Sequence, residues 1–196
     1  LAMLVVQSLT NSFGTTIIAV STVVMRVDGF AMMPNFTFGN AMTTYTGQNM
    51  GAHKFRRARR IQWTCMGCVT VVGMVFGFSA WYFGEQLLSI YITDSPTATA
   101  YGMVRLSLIT LPYFLCGQMN VSTGALRGMG ASLTPMIISV LGICAFRVFW
   151  IYTFFRAFHT PECLFVSYPI SWILTLAAQM IAYFLICRKY PKEDCA

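Results

Sequence analysis

The chain reads as an all-α integral membrane protein, a bundle of six transmembrane helices whose first helix is truncated. Three observations predict this. Apolar residues fill 57% of the 196 positions and charged residues only 10%, whereas a soluble domain carries about 25% charged residues. So few charges cannot clothe a water-facing surface, which makes lipid the solvent. The apolar residues also gather into runs near the roughly 20 residues that a helix needs to cross a bilayer. Finally, the basic residues cluster in the gaps between runs, as they do in cytoplasmic membrane flanks.

The elements follow in order. The run over 1–13 is too short to span, and it ends at Asn11-Ser-Phe-Gly14. The chain opens on Leu1 in what reads as mid-helix, with no signal peptide pattern, so a fragment is expected. Gly14, Thr15 and Thr16 form a stop and a new cap. A helix over 15–49 would be roughly 50 Å long, against a hydrocarbon core of about 30 Å. Pro34 is expected to bend it. A basic loop covers 52–60, and a third helix covers 61–83 without a single charge. Trp81 and Tyr82 lie at its far end, where an aromatic belt belongs. Asp94-Ser-Pro96 makes a turn into a fourth helix over 96–126, bent at Pro112. The segment Arg127-Gly-Met-Gly-Ala-Ser132 turns the chain again. A fifth helix covers 135–158, closed by His159-Thr-Pro-Glu162, and a sixth covers 163–187. The tail, 188–196, is polar.

Alternating these spans sets the orientation. With 52–60 cytoplasmic, the Arg127 turn and the C-terminus are cytoplasmic too. That side holds Lys54, Arg56, Arg57, Arg59, Arg60, Arg127, Arg188, Lys189 and Lys192. The opposite loops hold Arg156 with Glu85, Asp94 and Glu162. The asymmetry obeys the positive-inside rule.

Several function classes fall away. The net charge of +7 comes largely from membrane flanks, and no groove-reading or stacking module for nucleic acid is present. Seven scattered cysteines fit no disulfide framework. Cys65 and Cys68 form a C-x-x-C without a second pair or paired histidines, so they read as small residues in a membrane helix. His53 and His159 fall on opposite sides of the membrane, and no phosphate loop, nucleophile elbow or zinc-protease motif occurs. No catalytic centre, metal or cofactor is expected.

Charges inside spans carry more information, because they are costly and face a bundle interior or aqueous cavity. The candidates are Arg26, Asp28, Arg105 and Arg147. Asp28 is the only carboxylate well inside a span. Arg26 is two residues away and points to another face, so Asp28 needs a partner on another helix, water or a cation. It is either a cation or proton site or half of a structural pair. Arg105 lies near a helix start and can snorkel outward. Among uncharged groups, Asn11, Asn35, Thr43, Thr44, Gln48, Gln118, Asn120 and Gln179 can line a pathway or bond helices together. The pairs Gly47/Gly51, Gly73/Gly77 and Gly124/Gly128 permit close helix approach. Thirteen methionines and sixteen phenylalanines offer an adaptable apolar lining, for substrate or for lipid.

Four stretches then carry a resemblance. Gln7 to Thr16 is similar to the junction of the seventh and eighth helices of multidrug and toxic compound extrusion (MATE) transporters, and Met25 to Pro34 to the stretch that follows. Gly47, Gln48, Asn49, Gly51 and Ala52 form a Gly-Gln-Asn-x-Gly-Ala signature ahead of a basic loop. Gly124-Ala-Leu-Arg127-Gly128-Met-Gly130, with Pro135 after it, resembles the loop between the tenth and eleventh helices. The resemblance implies one lobe of a twelve-helix, pseudo-symmetric transporter, the first lobe lying outside this chain. It implies export of organic, often cationic compounds against Na⁺ or H⁺ across a bacterial inner membrane. A lipid or polysaccharide flippase of the same superfamily is the alternative. Where some members place a coupling carboxylate in the tenth helix, this chain has Cys116. That departure implies coupling through a carboxylate of the first lobe. Asp28 with Arg147 or Arg26 is the expected polar centre of this lobe.

Overall fold

The computed structural model describes residues 15–84, 86, 102–103, 106–107, 110, 112–155 and 161–190. The helix expected over 1–13, Asn11, Arg105 and the turn at Asp94 lie outside them. Among the described residues every regular element is helical. These are α1 (Thr15–Gly51), α2 (Phe55–Tyr82), α3 (Tyr113–Gly128), α4 (Leu133–Ser139), α5 (Phe146–Trp150) and α6 (Pro161–Cys187). Two π-helical stretches, Val140–Ala145 and Ile151–Phe155, flank α5 and make Leu133–Phe155 one irregular rod.

The burial pattern is inverted relative to a water-soluble protein. Gln62, Ser122, Ser171, Thr175 and Gln179 are fully enclosed. Val71, Phe78, Leu141, Phe149, Tyr152 and Ile181 are all at least 60% exposed. Polar groups inside and large apolar groups outside are what a lipid solvent demands, since hydrocarbon offers no hydrogen bonds. By length and composition, Phe55–Tyr82, Leu133–Thr153 and Val166–Cys187 can each cross a membrane. Helix α1 is not among these three. Its threonines, asparagines, Arg26 and Asp28 dilute its apolar content, and Thr22, Thr37, Thr43 and Thr44 return their hydroxyls to carbonyls of the same helix.

Helix α1 runs unbroken through Pro34 for 37 residues and packs most extensively on α3. Gly124 makes that crossing possible, because a Cβ there would lie 2.2 Å from the Gly39 carbonyl oxygen. At Gly128 a Cβ would lie 2.5 Å from Thr46 Cβ. Of the spaced glycine pairs, Gly124/Gly128 is thus the one that seats α1 on α3. Gly73 does the same for α2, with Phe114 Cα 2.9 Å from its would-be Cβ.

Helix α2 begins at Phe55, six residues before the start expected at Ile61. The basic run is therefore the first turns of a helix rather than a loop. Arginine is a good helix former, and its long stem can carry the charge toward water from a helical position. The connection shrinks to Ala52–Lys54. His53 adopts φ 54°, Lys54 N–H donates to Asn49 O at 2.8 Å, and His53 N–H donates to Met50 O at 3.1 Å. This is a Schellman stop. Gly130, at φ 84°, repeats it after α3, with Ala131 N–H donating to Leu126 O and Gly130 N–H to Arg127 O, both at 3.0 Å. Pro112 caps α3, and residues 102–103, 106–107 and 110 ahead of it are also helical.

One end of the bundle gathers the basic segments. Arg59 donates to the carbonyls of Cys187 at 3.1 Å and Tyr190 at 3.2 Å. Tyr190 stacks on Phe55, with ring centroids 5.5 Å apart, and its hydroxyl donates to Met129 O at 3.4 Å. The start of α2, the turn after α3 and the end of α6 therefore meet.

Candidate functional site

Asp28 lies midway along α1, half-buried, on the side that meets α3. The Tyr113 hydroxyl, in the first turn of α3, donates a hydrogen bond to Asp28 Oδ1. Tyr113 is buried together with Cys116 and Trp172, with Met32, Met119 and Tyr168 packed around them. Its ring lies 6.3 Å from that of Trp172, and Tyr168 meets Trp172 edge-on at 6.1 Å. Arg147 closes the far side. Its guanidinium carbon sits 3.8 Å above the Tyr168 ring centroid, and Nη2 donates to Ser171 Oγ at 3.4 Å. Arg147 is 3% exposed, and its Nε finds no protein acceptor among the described residues. A desolvated guanidinium over a ring face is held by the ring quadrupole as well as by hydrogen bonds.

Asp28 and Arg147 therefore flank one aromatic cluster built from α1, α3, α5 and α6. The structure brings Asp28 and Arg147 to this cluster and leaves Arg26 out of it, exposed on another face of α1. Two residues of helix turn a side chain through about 200°, which sets Arg26 and Asp28 nearly opposite. Cys116 lies one turn from Tyr113 with its thiol 3.6 Å from Met32 Sδ. Sequence reasoning missed Tyr113, Tyr168, Ser171 and Trp172. The sequence signal was a buried carboxylate in need of a partner, and the phenol that donates to it carries no charge to mark it.

The other candidates separate cleanly. Gln118 Nε2 donates to Thr70 Oγ1 at 2.9 Å and ties α3 to α2. Gln179 Nε2 donates to Thr123 Oγ1 at 2.9 Å and Ser139 Oγ at 3.2 Å, tying α6 to α3 and α4. Asn120 turns back on its own helix, donating to Cys116 O at 3.0 Å. Gln48 is exposed. Asn49 is buried, donates to Tyr45 O at 2.7 Å, and accepts the bond that ends α1. The Gly47–Gly51 signature is thus a helix stop, and Arg127 with Gly128 form the matching stop and close contact on α3. Among the described residues no group of three or more histidine, cysteine or acidic side chains could hold a metal.

A family model described as MatE matches residues 1–153. The chain belongs to the MatE family. Among curated relatives of this MatE chain, the probable multidrug resistance protein YoeA of Bacillus subtilis is 29% identical over 149 residues, covering 76% of the chain and 32% of that protein. YpnP of the same organism, also described as a probable multidrug resistance protein, is 27% identical over 145 residues, with 74% and 32% covered. The chain therefore spans about a third of the length of these relatives. The Vibrio cholerae MATE transporter VcmN superposes with a TM-score of 0.86 at 17% identity, over 97% of the MatE chain and 43% of that structure. An outward-facing multidrug resistance MATE family transporter of the MOP superfamily superposes at 0.84 with 14% identity, over 96% and 43%. These structures share the fold.

Proposed function

We propose that the MatE chain is one six-helix lobe of a two-lobed multidrug efflux transporter, exchanging Na⁺ or H⁺ for organic, often cationic compounds. The relatives' names support the drug-export part, and the share of each relative that the chain spans fits a lobe. The observation that carries the coupling part is the hydrogen bond from Tyr113 to Asp28 beside the cluster that ends on Arg147.

A carboxylate can take a proton or coordinate Na⁺ while it also accepts a hydrogen bond. With Asp28 ionised, the cluster has a negative group on one side and a positive group on the other. With Asp28 neutralised by the coupled ion, the Arg147 charge loses that counterpart. Ion binding thus changes the field across Tyr113, Trp172 and Tyr168, and a field change can bias two packings of the lobe. The lobe would form one wall of a central cavity that rocks between the two sides, with the basic end in the cytoplasm of a bacterial cell.

The test is Asp28→Asn in the full-length transporter, with dye export measured in vesicles under Na⁺ and pH gradients. Loss of ion-dependent export is expected. Unchanged export with unchanged ion dependence would sink the assignment of Asp28. Movement of a lipid-linked sugar by the same vesicles, without dye export, would favour the flippase reading.

A further inference from the structure

We propose that the groove between α1 and α2, at the basic end of the bundle, binds one anionic phospholipid; this goes beyond the efflux reading. The groove has a volume of about 1000 Å³, the top of the range of about 300–1,000 Å³ for ligand pockets. Its two walls are helix faces. On α2, Arg57, Ile61, Cys65 and Cys68 follow one another at the spacings of a single helix face. On α1, Phe38, Met42 and Tyr45 do the same. The helices run antiparallel, so Tyr45 comes level with the start of α2 and Phe38 lies deeper.

The rim and the walls differ in chemistry. Arg56, Arg57 and Arg60 line the groove at its α2 end, and among the described residues no acidic side chain lines it. Arg57 and Arg60 are exposed. Below them the lining is apolar apart from the Thr64 hydroxyl, which is engaged with Arg60 O at 3.0 Å. From Arg57 to Cys68 the helix rises about 16 Å, roughly half of a 30 Å hydrocarbon core. A guanidinium rim above an apolar trough one leaflet deep matches a phosphate headgroup with an acyl chain below it. An organic cation is repelled by the rim. A soluble anion gains nothing from the trough. Tyr45, more than half exposed, brings a phenol to the depth where aromatic side chains meet headgroups.

Native mass spectrometry of the full purified chain, in detergent with equal phosphatidylglycerol and phosphatidylcholine, tests this. One retained phosphatidylglycerol is expected, and phosphatidylglycerol should raise the melting temperature of the unmutated protein more than phosphatidylcholine does. The double variant R57Q/R60Q should bind it about 30-fold more weakly, two phosphate-facing charges being removed. Cys68→Trp, which fills the trough and leaves the rim intact, should also lose it. Arg127→Gln, a basic residue away from the groove, should not. Equal retention and equal stabilisation by the two lipids would overturn the proposal. So would undiminished binding in R57Q/R60Q, or displacement of the lipid by millimolar inorganic phosphate, which would mark a soluble anion site.

Discussion

The Tyr113 hydroxyl and the Asp28 carboxylate join α3 to α1 across 85 positions of sequence. Tyr113 is 1% exposed, so water cannot replace its donor. Tyr113→Phe should cost about 1–2 kcal/mol, near the top of the range for membrane-bundle hydrogen bonds. Asp28→Asn should cost less, since the amide oxygen still accepts from the phenol. Unfolding in detergent measures both. Equal stability of Tyr113→Phe and the parent would mean that the contact is not energetically coupled.

Gly124→Ala should weaken the α1–α3 crossing by about 1–3 kcal/mol, the usual cost of overpacking. The clashing atom is the Gly39 carbonyl oxygen, which is backbone and cannot swing away. Gly51→Ala is the control, with nothing within 4 Å of its would-be Cβ, and should stay within about 0.5 kcal/mol. Comparable changes in the two variants would remove the packing account of Gly124, since helix propensity alone favours alanine at both positions.

Arg147 and Tyr168 should be coupled. A double-mutant cycle with Arg147→Met and Tyr168→Leu should return about 2 kcal/mol, the size of a desolvated cation–ring contact. Arg147→Lys should recover little of it, because an ammonium cannot stack flat on the ring. Additive effects in the cycle would remove the stacking account.

The two helix stops make opposite predictions. His53→Gly should stabilise the protein by about 1 kcal/mol, since a Cβ is penalised at positive φ. Gly130→Ala should destabilise it by a similar amount, about 1 kcal/mol, for the same reason. Melting temperatures of the pair moving in the same direction would contradict these backbone geometries.

Much of the fold was legible because lipid is a simple solvent: long apolar runs and their basic gaps marked the helices and their shared end. The start of α2 was not, because a basic run reads equally as a loop or as helical turns whose arginines reach into water. Asp28 stood out by its charge alone. Its partner did not, since nothing local to Tyr113 distinguishes a phenol that meets a carboxylate from one that packs in apolar surroundings. The Gly124/Gly128 spacing announced a close contact without saying with which helix. The π-helical turns around Arg147 had no sequence signal.

Those turns have a mechanical consequence. A π-helical turn bonds i to i+5 and so holds one more residue than an α-helical turn. The Arg147 segment lies between two such stretches. Rewinding either into regular α-helix would swivel the segment by about 100°, one residue's worth of rotation. The lobe could then redirect a buried charge by taking up slack within a single rod, while the helices around it kept their places.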